Sequence, residues 1–242
     1  MLHCEMIGKV IYTRKIWNAF IVFSGILFLS LPLSAQEDQV GNWLMYFGLN
    51  RVSEKLSIHS EVQYRDHTWN LNDIEQLLLR VGVNYHLDDN KMLTAGYGNI
   101  RGHVYGSEQD GPEVEEHRIW EQFILLQYLN RIKLEHRFRA EQRWQNEDYA
   151  NRFRYRLMLF LPLNKPKIEK GSLFLGVYNE IFINGESEYY DRNRLYSALG
   201  YQFNKSTSLQ LGLLHQHVNN NGGKLYLQTA LFFNPDFRKN NN

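Results

Sequence analysis

Residues 131–145, RIKLEHRFRAEQRWQ, alternate between charged and uncharged side chains along nearly their whole length. From Lys133 to Arg143 every second residue is charged, and the positions between them carry Leu, His, Phe, Ala and Gln. Successive side chains of an extended chain point to opposite faces, so this pattern predicts a β-strand with one fully charged face. Strands of globular proteins commonly have ~5–6 residues, whereas a tilted strand needs about 9–11 to cross a bilayer. The length therefore favours a membrane β-barrel.

The same two-residue period recurs along the chain, and eleven candidate strands can be placed between residues 42 and 234. No apolar run after residue 35 is long enough for a membrane helix, so an integral membrane form would have to be a closed barrel. Bacterial barrels usually have an even number of strands. The odd count indicates that the first segment does not span or that one strand is missed or merged. We predict an all-β, antiparallel up-and-down transmembrane β-barrel of about 10–12 strands.

Residues 1–35 have the features of an export signal. Basic residues at the start precede an apolar run over residues 16–33, and the small residues Ser34 and Ala35 follow it. This order predicts a secretory signal peptide cleaved after Ala35, with residues 36–242 as a single barrel domain. The run also approaches the ~20 residues of a spanning helix, so an uncleaved anchor is the alternative. An exported barrel is expected in the outer membrane of a Gram-negative bacterium.

Composition excludes several classes of partner and site. Once the three basic residues and one acidic residue of the first 35 are subtracted from totals of 27 and 26, 24 basic and 25 acidic residues remain. This balance does not favour a nucleic-acid partner. The single cysteine, Cys4, lies in the signal, so a disulfide framework and cysteine metal sites are excluded from the rest of the chain. We expect no cofactor, and the sequence leaves the oligomeric state open.

Two segments joined by one short loop carry an excess of positive charge. Residues 133–143 and 152–156 contain seven basic residues against Glu135 and Glu141. In a barrel they would form a cationic lumen wall, because the planar guanidinium fork suits carboxylate and phosphate groups. The alternative is a lumen filled by ion pairs with Glu61, Glu121 or Glu180, since small barrels are usually packed inside. The candidate lumen residues are Arg137, Arg139, Arg143, Arg152, Arg154, Arg156, Glu61 and Glu180.

No catalytic or metal-binding motif is apparent in the sequence. His59 and Ser60 point to opposite faces of their strand, so they cannot act together as base and nucleophile. His215 and His217 share a face, but no third metal ligand is evident. We therefore predict a protein that is not an enzyme and has no catalytic or metal residues. A lipid-modifying barrel enzyme is the less favoured alternative.

Several short stretches, taken in order, resemble an exported family of outer-membrane β-barrel-like proteins, the domain-of-unknown-function family 2490. They are GNWL at 41–44, EVQYR at 61–65, LRVG at 79–82, GYG at 96–98, HRIWEQ at 117–122, NEIF at 179–182, NRLY at 193–196 and GY at 200–201. The resemblance covers nearly the whole chain after the signal. It implies a fold and a location but no activity, so no functional residue is carried over from it.

Alternation alone does not say which face of the sheet is enclosed. In a membrane barrel the apolar face meets lipid and the charged face lines the lumen, whereas a soluble exported lipocalin-like barrel or sandwich would reverse them. Strand length favours the membrane form, as do aromatic residues near the ends of the apolar faces (Tyr64, Tyr85, Trp144, Phe203 and Phe233). The expected role is a narrow or plugged pore, or a structural or adhesive barrel. Its expected partners are outer-membrane lipid and small anionic solutes.

Overall fold

Eleven β-strands follow one another in the computed structural model, which describes residues 40–106, 111–146, 148–186 and 188–238. The strands are β1 (Gly41–Arg51), β2 (Leu56–Asp66), β3 (Ile74–Asp88), β4 (Lys91–Gly102), β5 (Val114–Leu129), β6 (Ile132–Gln145), β7 (Asp148–Pro162), β8 (Leu173–Asn184), β9 (Tyr190–Gln202), β10 (Thr207–Val218) and β11 (Gly222–Phe233). Within these ranges no helix is long and apolar enough to cross a membrane. The predicted signal peptide lies outside the described residues.

The strands form one closed barrel in the order of the sequence. Each strand pairs antiparallel with the next from β1 to β11, and β1 pairs parallel with β11 to close the sheet. An odd number of alternating strands leaves the first and last pointing the same way, so the closing pair has to be parallel. The predicted all-β barrel of about 10–12 strands is confirmed with eleven, and it is antiparallel at every pair except this closing one. Because β1 lies in the wall, the suggestion that the first segment does not span is wrong.

The connections lie at two rims of the barrel. Of the described connecting residues, the first rim carries 67–73, 103–106, 111–113, 146, 185–186, 188–189 and 219–221, and the second carries 52–55, 89–90, 130–131, 163–172 and 203–206. Asn130, Asn146 and Asn220 adopt φ angles of 54°, 54° and 63° in three of the tight turns, a region that asparagine tolerates. Long and short connections do not strictly alternate between rims, since 163–172 is long and the connection between β6 and β7 is short.

Strand β6 shows which face of the sheet is enclosed. Arg137, Arg139 and Glu141 are buried, whereas Phe138 is 48% exposed and Trp144 is 39% exposed on the outer surface. On the other strands the buried charged and polar residues share the inward face with some apolar residues, and the outer face exposes mainly leucine, valine and aromatic side chains. The predicted orientation is confirmed: the charged series faces the lumen and the apolar series faces outward. The alternative orientation, with the apolar face enclosed, is wrong.

Apolar side chains fill part of the lumen beside the charged ones. The buried cluster comprises Trp43, Met158, Tyr178, Tyr196, Ala198, Leu214 and Tyr226, from β1 and β7–β11. The ring centroids of Trp43 and Tyr226 lie 4.7 Å apart, and those of Tyr178 and Tyr196 lie 4.8 Å apart. The interior therefore has an aromatic region and a charged region. The candidate functional residues lie in the charged region.

Gly96 provides a test of how tightly the interior is packed. A Cβ atom at Gly96 would lie 2.6 Å from the Trp120 ring, whereas one at Gly102 on the same strand would meet nothing closer than 3.5 Å. Overpacking of this kind typically costs about 1–3 kcal/mol. We expect Gly96→Ala to lower the midpoint of urea unfolding in detergent, measured by the gel-mobility difference between folded and heated barrel. Gly102→Ala is the matched control, and an equal loss in both variants would contradict the packing described here.

Candidate functional site in the barrel lumen

Glu141 of β6 is the centre of the charged region. Its side chain is fully buried in the lumen, where its carboxylate is shared by several guanidinium groups. Five arginines have nitrogen–oxygen distances to it between 2.7 and 3.8 Å: Arg80, Arg118, Arg139, Arg152 and Arg154. Since β3 and β6 are not neighbours in the sheet, the contact between Arg80 and Glu141 crosses the lumen.

A second buried carboxylate, Glu180 of β8, is joined to Glu141 through Arg154. Arg154 Nη2 lies 2.8 Å from Glu180, and its Nη1 lies 2.8 Å from Glu141. Arg137 Nη2 also donates to Glu180 at 2.6 Å. Charge-assisted hydrogen bonds of this length are among the stronger polar contacts in proteins. Arg154 therefore links the carboxylates of β6 and β8 into one network.

Two further carboxylates extend the network toward β2 and β5. Glu61 accepts a hydrogen bond from Arg80 at 2.8 Å, which connects it through Arg80 to the central carboxylate. Glu116 lies 2.5 Å from Arg118 and 2.7 Å from Arg143. The network therefore includes residues of β2, β3, β5, β6, β7 and β8. It connects side chains that lie on opposite sides of the charged region.

The eight residues proposed from the sequence all lie on the lumen side of the sheet. Seven of them belong to the connected network: Arg137, Arg139, Arg143, Arg152, Arg154, Glu61 and Glu180. Arg156 instead pairs with Glu135 at 2.5 Å, outside that network. Glu121, proposed as an internal partner, points outward between Ile119 and Phe123, so that part of the ion-pair alternative is wrong.

Sequence reasoning missed several members of the site on other strands. Glu116 and Arg118 lie on β5, where both alternating series mix polar and apolar residues and the facing is ambiguous. The pairing of Trp120 with Glu141 and of Arg118 with Arg143 assigns the β5 face once the β6 face is known. Isolated arginines such as Arg80 give no local signal, because their role depends on neighbours distant in sequence.

Buried positive charge exceeds buried negative charge within the described strands. The buried lumen-facing charges are eight arginines (Arg65, Arg80, Arg118, Arg137, Arg139, Arg152, Arg154, Arg194) and four glutamates (Glu61, Glu116, Glu141, Glu180). Two other buried carboxylates, Asp66 and Asp73, lie at the first rim. They accept hydrogen bonds from the backbone N–H groups of Thr68, Asp73 and Gly106. The lumen is therefore a cation-rich environment.

Aromatic rings stabilise the arginines at the border of the charged region. The Arg65 guanidinium lies 4.1 Å from the Trp43 ring centroid, and that of Arg194 lies 4.9 Å from it. Arg194 also lies 4.6 Å from the Phe182 ring, and Arg154 lies 4.2 Å from the same ring. Cations stacked over aromatic faces are attracted by the ring quadrupole. These contacts connect the aromatic region to the charged network.

Two of these arginines, Arg65 and Arg194, form no ion pair with a carboxylate of the described residues. Arg65 donates to the side-chain oxygens of Gln63 and Gln76, at 2.6 and 2.7 Å. Arg194 Nε donates to the side-chain oxygen of Gln216 at 2.7 Å. Neutral amide oxygens satisfy hydrogen-bond donors but carry no negative charge, so these two residues add to the cationic character of the lumen.

A chain of neutral polar side chains leads from the network toward the second rim. It starts at Arg139 of the network, and its members, joined in order by hydrogen bonds of 2.7 to 3.2 Å, are Gln122, Thr94, Asn84, Ser57 and His86. Ser57 Oγ lies 2.8 Å from His86 Nε2, a pair that is 29 residues apart in sequence and was not anticipated. A serine beside a histidine can be an activated nucleophile. Here the Ser57 side chain is fully buried and also accepts a hydrogen bond from Asn84.

Comparisons with known proteins give a family but no activity. A protein of Methylorubrum extorquens described as uncharacterized is 25% identical over 172 residues, covering 68% of this chain and 73% of that protein. The crystal structure of the siderophore receptor PirA from Pseudomonas aeruginosa matches 72% of this chain at 14% identity with a TM-score of 0.31. This chain covers 34% of that receptor, about a third of its length.

The family described as "Protein of unknown function (DUF2490)" matches residues 40–226, which include ten of the eleven strands in full and the start of the last. Every member of the Glu141-centred network lies within the matched range. The resemblance inferred from short stretches of sequence is confirmed: this chain belongs to the DUF2490 family.

Proposed function

We propose that this protein is an integral outer-membrane β-barrel of a Gram-negative bacterium, with a lumen plugged by an arginine–glutamate network. Where the lumen admits a solute, we propose that the solute is a small anion. The observation that carries the proposal is the enclosed charge: on the lumen side of the described strands, eight arginines and four glutamates are buried. The proposal assigns no catalytic step, and it treats Ser57 and His86 as part of the polar filling.

The outer surface supports a membrane location. Large apolar side chains are exposed on all eleven strands, among them Leu79, Val81 and Val83 of β3. Soluble monomers rarely expose contiguous apolar patches of this extent. Aromatic residues that mark the ends of outward faces, including Trp144 and Phe233, are also exposed, as in the girdles of membrane barrels. A closed sheet satisfies its backbone hydrogen bonds in lipid, because it has no free edge.

Contacts between strands that are not sheet neighbours support a plugged lumen. Arg80 reaches Glu141 from β3 to β6, and Arg194 of β9 packs on Trp43 of β1. The hydroxyl of Tyr226 on β11 donates to a carboxylate oxygen of Glu75 on β3 at 3.3 Å. Side chains that span the interior in several directions leave little room for a wide aqueous channel, so we propose that the resting barrel is closed.

The charge imbalance supports an anionic solute. Charges removed from water are costly unless they are paired, and an excess of buried guanidinium groups favours any anion or water that enters. Arginine binds carboxylate and phosphate groups through a planar fork of donors. A cationic solute would be repelled by the same excess of guanidinium groups. The excess of buried positive charge therefore predicts that the solute is an anion and that any conductance is anion-selective.

The location can be tested by extraction. We expect the full-length protein, expressed in a Gram-negative host, to sediment with the outer membrane and stay there after an alkaline carbonate wash. The apolar exterior should require detergent for release, because lipid contact covers it. Recovery in the supernatant without detergent would contradict the membrane location.

The proposed plug can be tested by neutralising Glu141, the carboxylate at its centre. We expect Glu141→Gln to leave five arginines without their shared carboxylate, which should destabilise the barrel by about 3–5 kcal/mol. Mutual repulsion of these arginines should also loosen the lumen, so planar-bilayer recordings should show anion-selective openings that are rare in the wild type. Glu135→Gln is the matched control, because Arg156 is the one residue of the described chain with which Glu135 forms an ion pair. Wide, steady conductance by the wild type would contradict a plugged lumen.

The sign of selectivity can be tested separately. In the Glu141→Gln background we expect Arg139→Glu with Arg154→Glu to shift the reversal potential under a salt gradient from anion toward cation preference. The physical reason is the reversal of two buried charges on adjacent, paired positions of β6 and β7. Lys165→Glu, in the exposed loop of the second rim, should leave the reversal potential unchanged. An unchanged anion preference in the double reversal would be evidence against the role of these arginines.

A further inference from the structure

A groove on the outer surface of the barrel has a chemistry unlike that of the lumen. It has a volume of about 780 Å³ and extends from β3 to β8. Outward-facing aromatic side chains line it, including Phe123, Phe138, Phe153 and Tyr155. The lining also includes Arg139 and Arg154, whose side chains are engaged on the lumen side. The groove is therefore an apolar surface feature of the size that commonly holds a small molecule.

Among the described residues that line this groove, Glu121 alone carries a carboxylate. Glu121 is the eighth residue of the 16-residue strand β5, so it is at the middle of the wall. Its register partners are Ala95 on β4 and Ala140 on β6, and both also line the groove. Two alanines beside the longer Glu121 leave a depression around its carboxylate. The strand pairing thus presents one acidic group at the bottom of an aromatic surface.

Glu121 has no hydrogen bond or ion pair among the described residues, and it is exposed. Every other Asp, Glu, Lys or Arg on an outward position of the described strands lies within two residues of a strand end. Such end positions reach the membrane interface, where charge costs little. Glu121 does not, and a charged group within the hydrocarbon region usually marks a functional site with a specific partner.

We propose that the groove binds an apolar molecule that carries one amine, with the ammonium group against Glu121 and the apolar body against Phe123, Phe138 and Phe153. An ammonium group complements the carboxylate in both charge and hydrogen bonding. The depression between the two alanines gives the amine access to the carboxylate, and the aromatic rings shield the pair from lipid. This inference rests on the proposed membrane location but is independent of the lumen.

Other occupants match the groove less well. A second copy of this chain seated on the same face would bring two Glu121 carboxylates together, with no lysine or arginine at the middle of the described outward faces to separate them. A free fatty acid would be repelled by Glu121, because both carry a negatively charged carboxylate. The amine of a phospholipid headgroup lies at the membrane interface, whereas Glu121 lies midway along its strand. A lipophilic amine satisfies the depth, the charge and the aromatic lining together.

The inference can be tested by native mass spectrometry of the full-length barrel in lipid nanodiscs, with dodecylamine, dodecanol and dodecanoate as probes. We expect one dodecylamine adduct to persist at concentrations where the alcohol and the carboxylate do not bind. Glu121→Gln should weaken dodecylamine binding about tenfold or more, the equivalent of about 1.4 kcal/mol. Ala140→Leu, which fills the depression, should have the same effect without a change of charge.

Glu115→Gln is the matched control, because Glu115 lies on the outward face of the same strand close to its end. Its dodecylamine affinity should equal that of the wild type. Equal binding of amine and alcohol, or no effect of Glu121→Gln, would overturn the inference. A barrel that stays in the membrane after the alkaline wash but shows either result would disprove this site alone, whereas a protein released by the wash would disprove the location.

Discussion

The sharing of one buried carboxylate among five guanidinium groups is the interaction on which the interior depends. Breaking a buried ion pair leaves an uncompensated charge, so each member of such a network holds the others in place. Glu141 contacts arginines of β3, β5, β6 and β7, and Arg154 carries the connection to Glu180 on β8. Closure of the sheet makes this possible, because it brings the faces of non-neighbouring strands within the reach of arginine side chains.

Aromatic side chains and charged side chains, which ordinarily lie in different parts of a protein, both fill this lumen. The aromatic cluster draws its members from β1 and β7–β11, whereas the carboxylates of the network lie on β2, β5, β6 and β8. Arginine is suited to the border, since its guanidinium is weakly hydrated and stacks on aromatic rings as well as pairing with carboxylates. Trp43 and Phe182 provide these rings for Arg65, Arg154 and Arg194. The barrel is thus filled without a sharp boundary between charged and apolar regions.

Local alternation was sufficient to predict the wall but not the network inside it. β6 has one fully charged series, so alternation puts Arg137 and Arg139 on one face, and strand length favours the lumen for that face. β5 mixes polar residues on both faces, so the sequence leaves its facing open, names Glu121 as one alternative internal partner and gives no signal for Arg118. The convergence on Glu141 depends on register across several strands, and the parallel closing pair depends on the parity of the whole strand count. Neither the register across several strands nor the parity of the strand count can be read from a short stretch of sequence.

The parallel pair between β1 and β11 has a consequence for the two ends of the chain. Gly41 begins β1 at the first rim, and Phe233 ends β11 at the second, so the chain enters and leaves the barrel at opposite openings. A meander with an even number of strands would return its end to the side where it began. Val40 and Asn234, which adjoin these strand ends, therefore lie at opposite openings, and the proposed membrane location puts them on opposite sides of the bilayer.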